Sequence, residues 1–295
     1  MRALRPLIAA FVVAIALPSA AAEPDWKAVG EALGKSGQVM PGDVYRVGMP
    51  RTDLKVTLDG VPIQAGFALG SWLAFKPMGD AAMVMGDLVL TGDEVNPVME
   101  TLLARGIEIT ALHNHLLRSE PFTMYMHVSG HGDPVKLAAA LHEGLARSKT
   151  PLGAAAPAAA SAEIPFDTKA VDAVIGYKGK PSGTVLQYSI PRAEPVRDSE
   201  MDVPEAMGSA IAINFQPTGG NKAAITGDFV LAAKEVNPVL RALRTHGIEV
   251  TAVHNHMLDD QPRMFFMHFW ANDDAQKLAT GLRAALDQVN VAKAQ

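Results

Sequence analysis

The chain contains no cysteine among its 295 residues. This absence excludes disulfide bonds, thiolate nucleophiles and cysteine-ligated metal sites. Basic residues are also few, since 26 Lys and Arg stand against 31 Asp and Glu and leave a net charge of −5. Because no cluster of Lys and Arg stands out, the sequence provides no basic surface for nucleic acid, and we expect no nucleic-acid partner.

Long apolar runs are absent except near the N-terminus. There Arg2 and Arg5 precede an apolar run at 7–17, and small residues follow at 18–22. This order is typical of a secretory signal peptide with its cleavage site, and the run is too short to span a bilayer comfortably. We therefore predict that residues 1–22 are a signal peptide. The mature protein should be periplasmic or secreted, without a stable membrane anchor.

The rest of the chain contains one pattern twice. The block Gly-Asp-Leu-Val-Leu at 86–90 recurs as Gly-Asp-Phe-Val-Leu at 227–231, and Glu-Val-Asn-Pro-Val occurs at both 94–98 and 235–239. A repeat of this length indicates two copies of one fold, packed about a pseudo-twofold axis, rather than a solenoid. The length of the chain agrees with two domains.

The two copies are separated by a segment rich in Ala and Pro and almost without charge, which is typical of a linker. We predict a first repeat domain at 23–148, a linker at 149–165 and a second repeat domain at 166–295.

Each repeat contains signals for helices and for antiparallel strands. In the first repeat, Asn96 followed by Pro97 is a typical helix start, and Gly106 is a typical stop. Strands are predicted at 107–117 and 122–129, joined by a short turn. A strand before this helix and a helix after the hairpin complete a β-α-β-β-α order, which is partly ferredoxin-like.

We therefore predict an α+β fold, in which two tandem copies of an antiparallel sheet each carry helices on one face. Apolar side chains alternate along the hairpin, and those on one face would lie beneath the helices. These residues are Leu112, Met124, Met126 and Val128 in the first copy, and Val253, Phe265, Met267 and Phe269 in the second.

The histidines of each hairpin fall on the opposite face. Two of them are separated by one residue on a predicted strand, so their side chains point to the same side. A short turn places the third opposite the first or the second, and either register brings it to that side as well. We expect three imidazoles to converge in each copy: His113, His115 and His127 in the first, and His254, His256 and His268 in the second.

Three neutral imidazoles on a rigid hairpin are suitable ligands for a divalent transition metal such as Zn, Cu, Ni or Fe. A carboxylate, water or a substrate would complete the coordination. The candidate carboxylates are Glu94 and Glu235, near the predicted helix starts, and Asp87 and Asp228 on the neighbouring strand.

A hydrogen-bonded structural hairpin is the alternative, because His-X-His on a strand is often only a polar face. Both copies nevertheless keep all three histidines and the intervening asparagine while their flanking residues differ. The expected partner is a metal ion or a small molecule.

The blocks at 94–98 and 111–115, with their second copies, resemble those of the LppY/LpqO family of bacterial exported proteins, whose domain has no known function. The resemblance covers nearly the whole mature chain and implies export, but it implies no reaction, substrate or ligand. Some members are lipoproteins. Because the lipid-bearing cysteine is absent here, the resemblance does not imply an anchor.

Three functions remain open from the sequence. The first is an exported metal-binding protein with a three-histidine site on the hairpin of each repeat. The second is a metal-dependent enzyme that uses an open coordination position for hydrolysis or oxygen chemistry. The third is a metal-free module that binds a small molecule or has a structural role. Neither the oligomeric state nor the separation of the two histidine sets follows from the sequence.

Overall fold

The computed structural model describes residues 24–153, 163–199 and 201–294. The predicted signal peptide at 1–22 lies outside the described residues, as does most of the predicted linker at 149–165. In the described part of the chain, no helix is long and apolar enough to cross a membrane.

Both repeats consist of a helix, a run of strands, a second helix, a pair of strands and a third helix. The first contains α1 (Trp26–Leu33), β1 (Gln38–Met40), β2 (Val44–Pro50), β3 (Val56–Leu58), β4 (Val61–Ile63), the short α2 (Ala65–Ala68), β5 (Gly70–Met78), β6 (Ala81–Thr91), α3 (Gly92–Ala104), β7 (Glu108–His113), β8 (Thr123–Gly132) and α4 (Pro134–Leu145). The second contains α5 (Thr168–Ile175), β9 (Lys180–Ser182), β10 (Val185–Ile190), β11 (Arg197–Asp198), β12 (Met201–Asp202), a 3-10 helix (Glu205–Met207), β13 (Ile211–Gly219), β14 (Lys222–Ala232), α6 (Ala233–Thr245), β15 (Glu249–His254), β16 (Asp260–Gln261), β17 (Met264–Asp274) and α7 (Ala275–Leu286).

Each repeat builds a six-stranded sheet with the same topology. The order is β1-β2-β5-β6-β8-β7 in the first and β9-β10-β13-β14-β17-β15 in the second. The neighbouring strands are antiparallel throughout. The predicted α+β fold with two repeated halves is confirmed.

Helix α3 begins five residues earlier than predicted, and α6 begins at the equivalent residue of the second repeat. Helix α3 begins at Gly92, so Pro97 lies inside the helix instead of at its first position. The reason is the Glu94 carboxylate, which accepts the backbone N–H of Thr91 at 2.9 Å and so satisfies a donor at the helix N-terminus. Glu235 accepts the N–H of Ala232 at 2.8 Å in the same way.

Helices α3 and α4 pack on one face of the first sheet, against β6 and β8. Met126 and Val128 of β8 are fully buried there, as predicted for this face of the hairpin. Leu112 and Val253 are not, because 41% and 46% of their surfaces remain exposed. Leu112 lies on β7 and Val253 lies on β15, and each of these strands is at the edge of its sheet. The prediction that helices cover these two residues was therefore wrong.

The other face of each sheet is covered in part by the opposite repeat. The β3–β4–α2 segment of the first repeat carries Phe67 and Leu69, which share a buried hydrophobic cluster with Ala224 and Trp270 of the second repeat. Asn214 of β13 donates a hydrogen bond to the Phe67 carbonyl at 3.1 Å.

The segment of the second repeat that runs from β11 to the 3-10 helix makes the reciprocal contact. Met201 and Met207 share a buried cluster with Ala74 and Met85 of the first sheet. Each repeat therefore covers part of the sheet of the other, and the two repeats form one packed unit. The parts of the two sheet faces that these segments leave open meet at its centre.

Candidate metal centre

The six hairpin histidines form a single cluster between the two repeats. Three pairs of imidazole rings join one repeat to the other, with ring centroids 3.6 Å apart for His113 and His254, 3.7 Å for His115 and His268, and 3.9 Å for His127 and His256. The sequence predicted that the three histidines of each hairpin converge among themselves. The ring centroid of His113 lies 5.1 Å from those of His115 and His127, and that of His254 lies 5.0 and 4.7 Å from those of His256 and His268. The structure therefore brings each set together and also interleaves the two sets.

The hairpin register differs from the predicted one. His127 of β8 lies opposite Ala111 rather than opposite position 113 or 115, and His113 lies opposite Tyr125. The shift is two residues, so His113 and His127 still share a face, as the even spacing required. Strand β7 ends at His113, so His115 lies beyond the strand and not on it.

An aromatic side chain positions the histidine that follows each strand. The His115 ring stacks on Tyr125 with centroids 3.3 Å apart, and the His256 ring stacks on Phe266 at 3.4 Å. The Tyr125 hydroxyl in turn donates to the Ala68 carbonyl at 2.8 Å. Tyr125 was missed from the sequence, although its position two residues before His127 places it on the same face.

Reciprocal hydrogen bonds hold the two hairpins together. Thr110 Oγ1 donates to the His256 carbonyl at 2.5 Å, and Thr251 Oγ1 donates to the His115 carbonyl at 2.6 Å. The Asn255 side chain donates to the Thr110 carbonyl at 2.8 Å, and the Asn114 side chain makes the equivalent bond to the Thr251 carbonyl at 3.1 Å. Each repeat thereby fixes the backbone that carries the histidines of the other.

Backbone carbonyls orient the histidines of the long strands. His268 Nδ1 donates to the Gly227 carbonyl at 2.7 Å, and His127 hydrogen-bonds the Gly86 carbonyl. Because a carbonyl can only accept, the Nδ1 of His268 carries the proton and its Nε2 lone pair is free for the cluster. A Cβ at Gly227 would lie 2.0 Å from the Ala212 carbonyl oxygen, so only glycine fits there.

Two buried carboxylates adjoin the imidazoles. Asp87 lies directly opposite His127, and Asp228 directly opposite His268, on the neighbouring strands. The carboxylate oxygen of Asp228 is 3.0 Å from His256 Nε2, and that of Asp87 is 3.6 Å from His115 Nε2.

The electrostatics of the cluster follow from its burial. Burial, and then the proximity of Asp228, raises the pKa of Asp87 to about 8, and burial raises the pKa of Asp228 to about 6. Burial also lowers the pKa of all six histidines below their ordinary value. The imidazoles are therefore neutral at neutral pH, which is the state in which a histidine binds a metal.

The two glutamates suggested as additional ligands have another role. Arg51 donates to both oxygens of Glu94, at 2.7 and 3.1 Å, and Arg192 does the same to Glu235, at 2.7 and 3.2 Å. These carboxylates also accept the backbone N–H groups of Lys149 and Asn290. Their oxygens are occupied by structural contacts, so the suggestion that Glu94 and Glu235 are ligands was wrong.

Several combinations of residues place ligand atoms within 4.8 Å of one another. These are His113 with His115 and His268, His113 with His127 and His254, and Asp228 with His254 and His256. The first two combinations draw on both repeats. The Nε2 atoms of His113 and His268 are 3.3 Å apart, and those of His254 and His256 are 3.1 Å apart. Metal–nitrogen bonds of about 2.0–2.1 Å in a tetrahedron give an edge of roughly 3.3–3.4 Å, so these distances suit a shared ion.

The cluster also contains most of the buried polar atoms that lack a hydrogen-bond partner among the described residues. These atoms are His113 Nδ1, His115 Nε2, His127 Nε2, His254 Nδ1, Asp87 Oδ1 and Asp228 Oδ1. Buried polar atoms are normally satisfied, so this concentration at one place indicates a site for a ligand.

Comparison with known proteins places both halves of the chain in one family. A family model described as "Domain of Unknown Function (DUF1259)" matches residues 27–147 and again 169–288. No curated protein matches the chain significantly.

Two solved structures show a distant likeness to the chain. The trimeric bacterial microcompartment shell protein PduB is 12% identical, with 85% of this chain and 93% of that chain covered and a TM-score of 0.21. EtuB from Clostridium kluyveri is 9% identical, with 85% and 90% covered and a TM-score of 0.19. Scores this low support no structural or functional argument. The family match covers most of the chain, and the protein therefore belongs to the DUF1259 family, of which it carries two tandem copies.

Proposed function

We propose that the protein is an exported metal-binding protein, whose site is the cluster of six histidines together with Asp87 and Asp228. The observation that carries this proposal is the set of buried imidazole nitrogens, drawn from both repeats and gathered in one cluster, that lack hydrogen-bond partners. Buried imidazole nitrogens without a partner are costly away from water. A divalent cation would satisfy them together.

The donor set defines the class of metal. Imidazole nitrogens with a few carboxylate oxygens suit Zn, Cu, Ni or Fe. His113 belongs to two of the three ligand combinations and meets His268 in one and His254 in the other. The proposal therefore replaces the separate site expected on each hairpin with one centre shared by the repeats.

A metal-dependent enzyme is the second candidate, and a specific observation favours it. A cleft of about 1290 Å³ extends to the cluster and is lined there by both aspartates and by His115, His127, His256 and His268. A carboxylate beside a metal can take a proton from bound water, so the site has the components of metal-assisted hydrolysis. No substrate follows from this arrangement alone.

Export is the other part of the proposal. It is supported by the signal-peptide pattern at 1–22 and by the resemblance to the LppY/LpqO family. The intact mass of protein recovered from the periplasmic fraction should correspond to a chain that starts near Glu23. Recovery of only the full-length chain, in the cytosol, would refute the export.

Metal content tests the binding proposal. Protein purified without a tag or chelator is offered Zn, Cu, Ni and Fe, dialysed and subjected to elemental analysis. We expect at least one of these metals to be retained, and His268→Ala to reduce the retained amount. The control is His131→Ala. His131 is exposed and lies on β8, the strand of the first repeat that corresponds to the strand carrying His268. If the wild-type protein retains none of the four metals, the proposal fails.

A further inference from the structure

One arginine in the cleft beside the cluster is unlike the other buried arginines of the protein. Arg46 lies on β2, is partly buried, and lines the cleft together with Trp72, Asp87 and His115. Its guanidinium lies 4.2 Å above the centre of the Trp72 ring. Its Nη1 donates to the carbonyl of Ala206, in the segment that the second repeat lays over this sheet. These contacts hold the guanidinium in one place.

Arg46 differs from the other buried arginines in having no carboxylate in direct contact, which a buried cation normally has. Arg51 and Arg192 are each paired with a glutamate at 2.7 Å. Within residues 24–153, 163–199 and 201–294, no carboxylate lies within 4.0 Å of Arg46. Burial lowers the pKa of Arg46 to about 10, against the opposing effect of Asp87, so the guanidinium remains charged at neutral pH.

The second repeat does not carry this feature. The equivalent of Arg46 is Gln187, which lies on β10 opposite Asn214 just as Arg46 lies on β2 opposite Ala74. Gln187 donates to the Gly66 carbonyl at 2.9 Å and has no charge. The shared fold therefore does not need an arginine at this position, and the cation belongs to one side of the cleft.

The cleft is large enough for a small molecule and has a suitable lining. Its volume of about 1290 Å³ exceeds the roughly 300–1,000 Å³ of most ligand pockets. Apolar side chains also line it, among them Met40, Phe67, Val196 and Val203. A ligand that fits has an anionic head group and an apolar body.

We propose that the cleft binds a small organic carboxylate, with its head group held by Arg46 beside the histidine cluster. A planar guanidinium matches the two oxygens of a carboxylate, and the apolar lining accommodates the body of the ligand. The inference rests on the proposed function in treating the adjacent cluster as a metal centre, but the contact with Arg46 does not itself require the metal. One site is expected for each chain.

Calorimetric titration of the full chain with benzoate, acetate and inorganic phosphate tests this inference, with metal-loaded and metal-free protein measured side by side. We expect benzoate to bind one site per chain and more tightly than acetate. Arg46→Gln, which introduces the residue of the second repeat, should weaken benzoate binding about tenfold or more. Lys136→Gln, which removes an exposed positive charge on α4 outside the cleft lining, is the control and should change binding less than about twofold.

Each outcome has a defined meaning. The inference is overturned if Arg46→Gln binds benzoate as tightly as wild type, if phosphate alone binds, or if no probe binds. Should Arg46→Gln fail to fold, Arg46→Lys retains the charge without the planar fork and should bind benzoate more weakly than wild type; equal binding would again overturn the inference. Arg46-dependent binding to a protein that retains no metal would support the anion site and refute only the metal centre.

Discussion

The imidazole rings of His113 and His254 stack with centroids 3.6 Å apart, although the two residues belong to different repeats. This contact lies where two equivalent hairpins meet. The histidine cluster therefore forms only when the two repeats pack together. Neither hairpin places all of its histidines around a site of its own, so changes on one hairpin should affect the other.

The hydrogen bond from Thr251 to the His115 carbonyl provides a test of this interlock. Thr251→Val removes the donor and leaves a buried carbonyl without a partner, so the free energy of unfolding should fall by about 1–2 kcal/mol. Thr245→Val is the control, because its hydroxyl bonds to Arg241 within an exposed helix turn. Denaturant unfolding of both variants gives the comparison, and equal losses would argue against the interlock.

The ion pair between Arg51 and Glu94 should stabilise the fold without contributing to metal binding. Glu94→Gln removes the more deeply buried of the two anions paired with the Arg51 guanidinium, leaving Asp53, and should cost about 3 kcal/mol, while the retained metal per folded chain stays unchanged. Burial acts to raise the pKa of Glu94, but the Arg51 guanidinium and two backbone N–H groups lower it overall. The stabilisation is therefore present above the ordinary glutamate pKa of 4.5 and is lost as pH falls through the lower pKa of the folded state.

Glu235→Gln in the second repeat is the matched variant for this prediction. It breaks the pair with Arg192 and should destabilise the protein to a similar extent. A loss of metal from either variant under conditions in which it is folded would return the glutamates to the list of ligands.

Gly227 is required by the close approach of β13 to β14. In Gly227→Ala the new Cβ would lie 2.0 Å from the Ala212 carbonyl oxygen, so the strands must separate and His268 must move with the Gly227 carbonyl. We expect a loss of about 3 kcal/mol in the free energy of unfolding. Gly48→Ala is the control, because a Cβ there has no neighbour within 4 Å. Thermal unfolding that does not distinguish the two variants would contradict the prediction.

The metal-free protein should lose stability in mild acid. Burial lowers the pKa of the six cluster histidines from the ordinary 6.5, so below that pH the unfolded chain takes up protons that the folded cluster cannot. The free energy of unfolding then falls with pH, by up to about 1.4 kcal/mol per pH unit for each histidine.

The two aspartates act in the opposite direction. Their raised pKa values, about 8 for Asp87 and about 6 for Asp228, favour the folded state as pH falls from those values toward 3.8. Two carboxyl groups offset only part of the effect of six imidazoles. Urea unfolding at pH 7, 6 and 5 should therefore give steadily lower midpoints, and a flat or rising series would show that the histidines are not buried and neutral.

Local sequence patterns were sufficient to predict the repeats, the hairpins and the face that carries the histidines. Period-two alternation places His113 and His127 on one side whichever even register the strands adopt. The end of β7 at His113 was not predictable in this way, because it depends on His115 stacking against Tyr125 and on the bond that Thr251 makes to it. Such contacts between residues distant in sequence arise only when the sheets pack.

The same limit explains the misassigned glutamates. The sequence indicates that Glu94 lies near a helix start, but Arg51 precedes it by 43 residues and becomes its partner only through the arrangement of the sheet. Asp87 was proposed from its place on the neighbouring strand, and it does adjoin the cluster, because strand neighbours follow from the hairpin order. The sequence did not predict that the two histidine sets face each other, because this arrangement arises only when one repeat packs on the other.

Metal stoichiometry of the double variant His113→Ala/His115→Ala tests the shared centre most directly. Wild type, the double variant and His131→Ala are loaded with the metal that wild type retains, dialysed, confirmed to be folded and subjected to elemental analysis. Because His113 contributes to ligand combinations with His254 and His268 of the other repeat, the double variant should retain less than half of the wild-type metal, and His131→Ala should retain all of it. Retention of half of the metal, with its affinity unchanged, would show two independent sites and contradict the account.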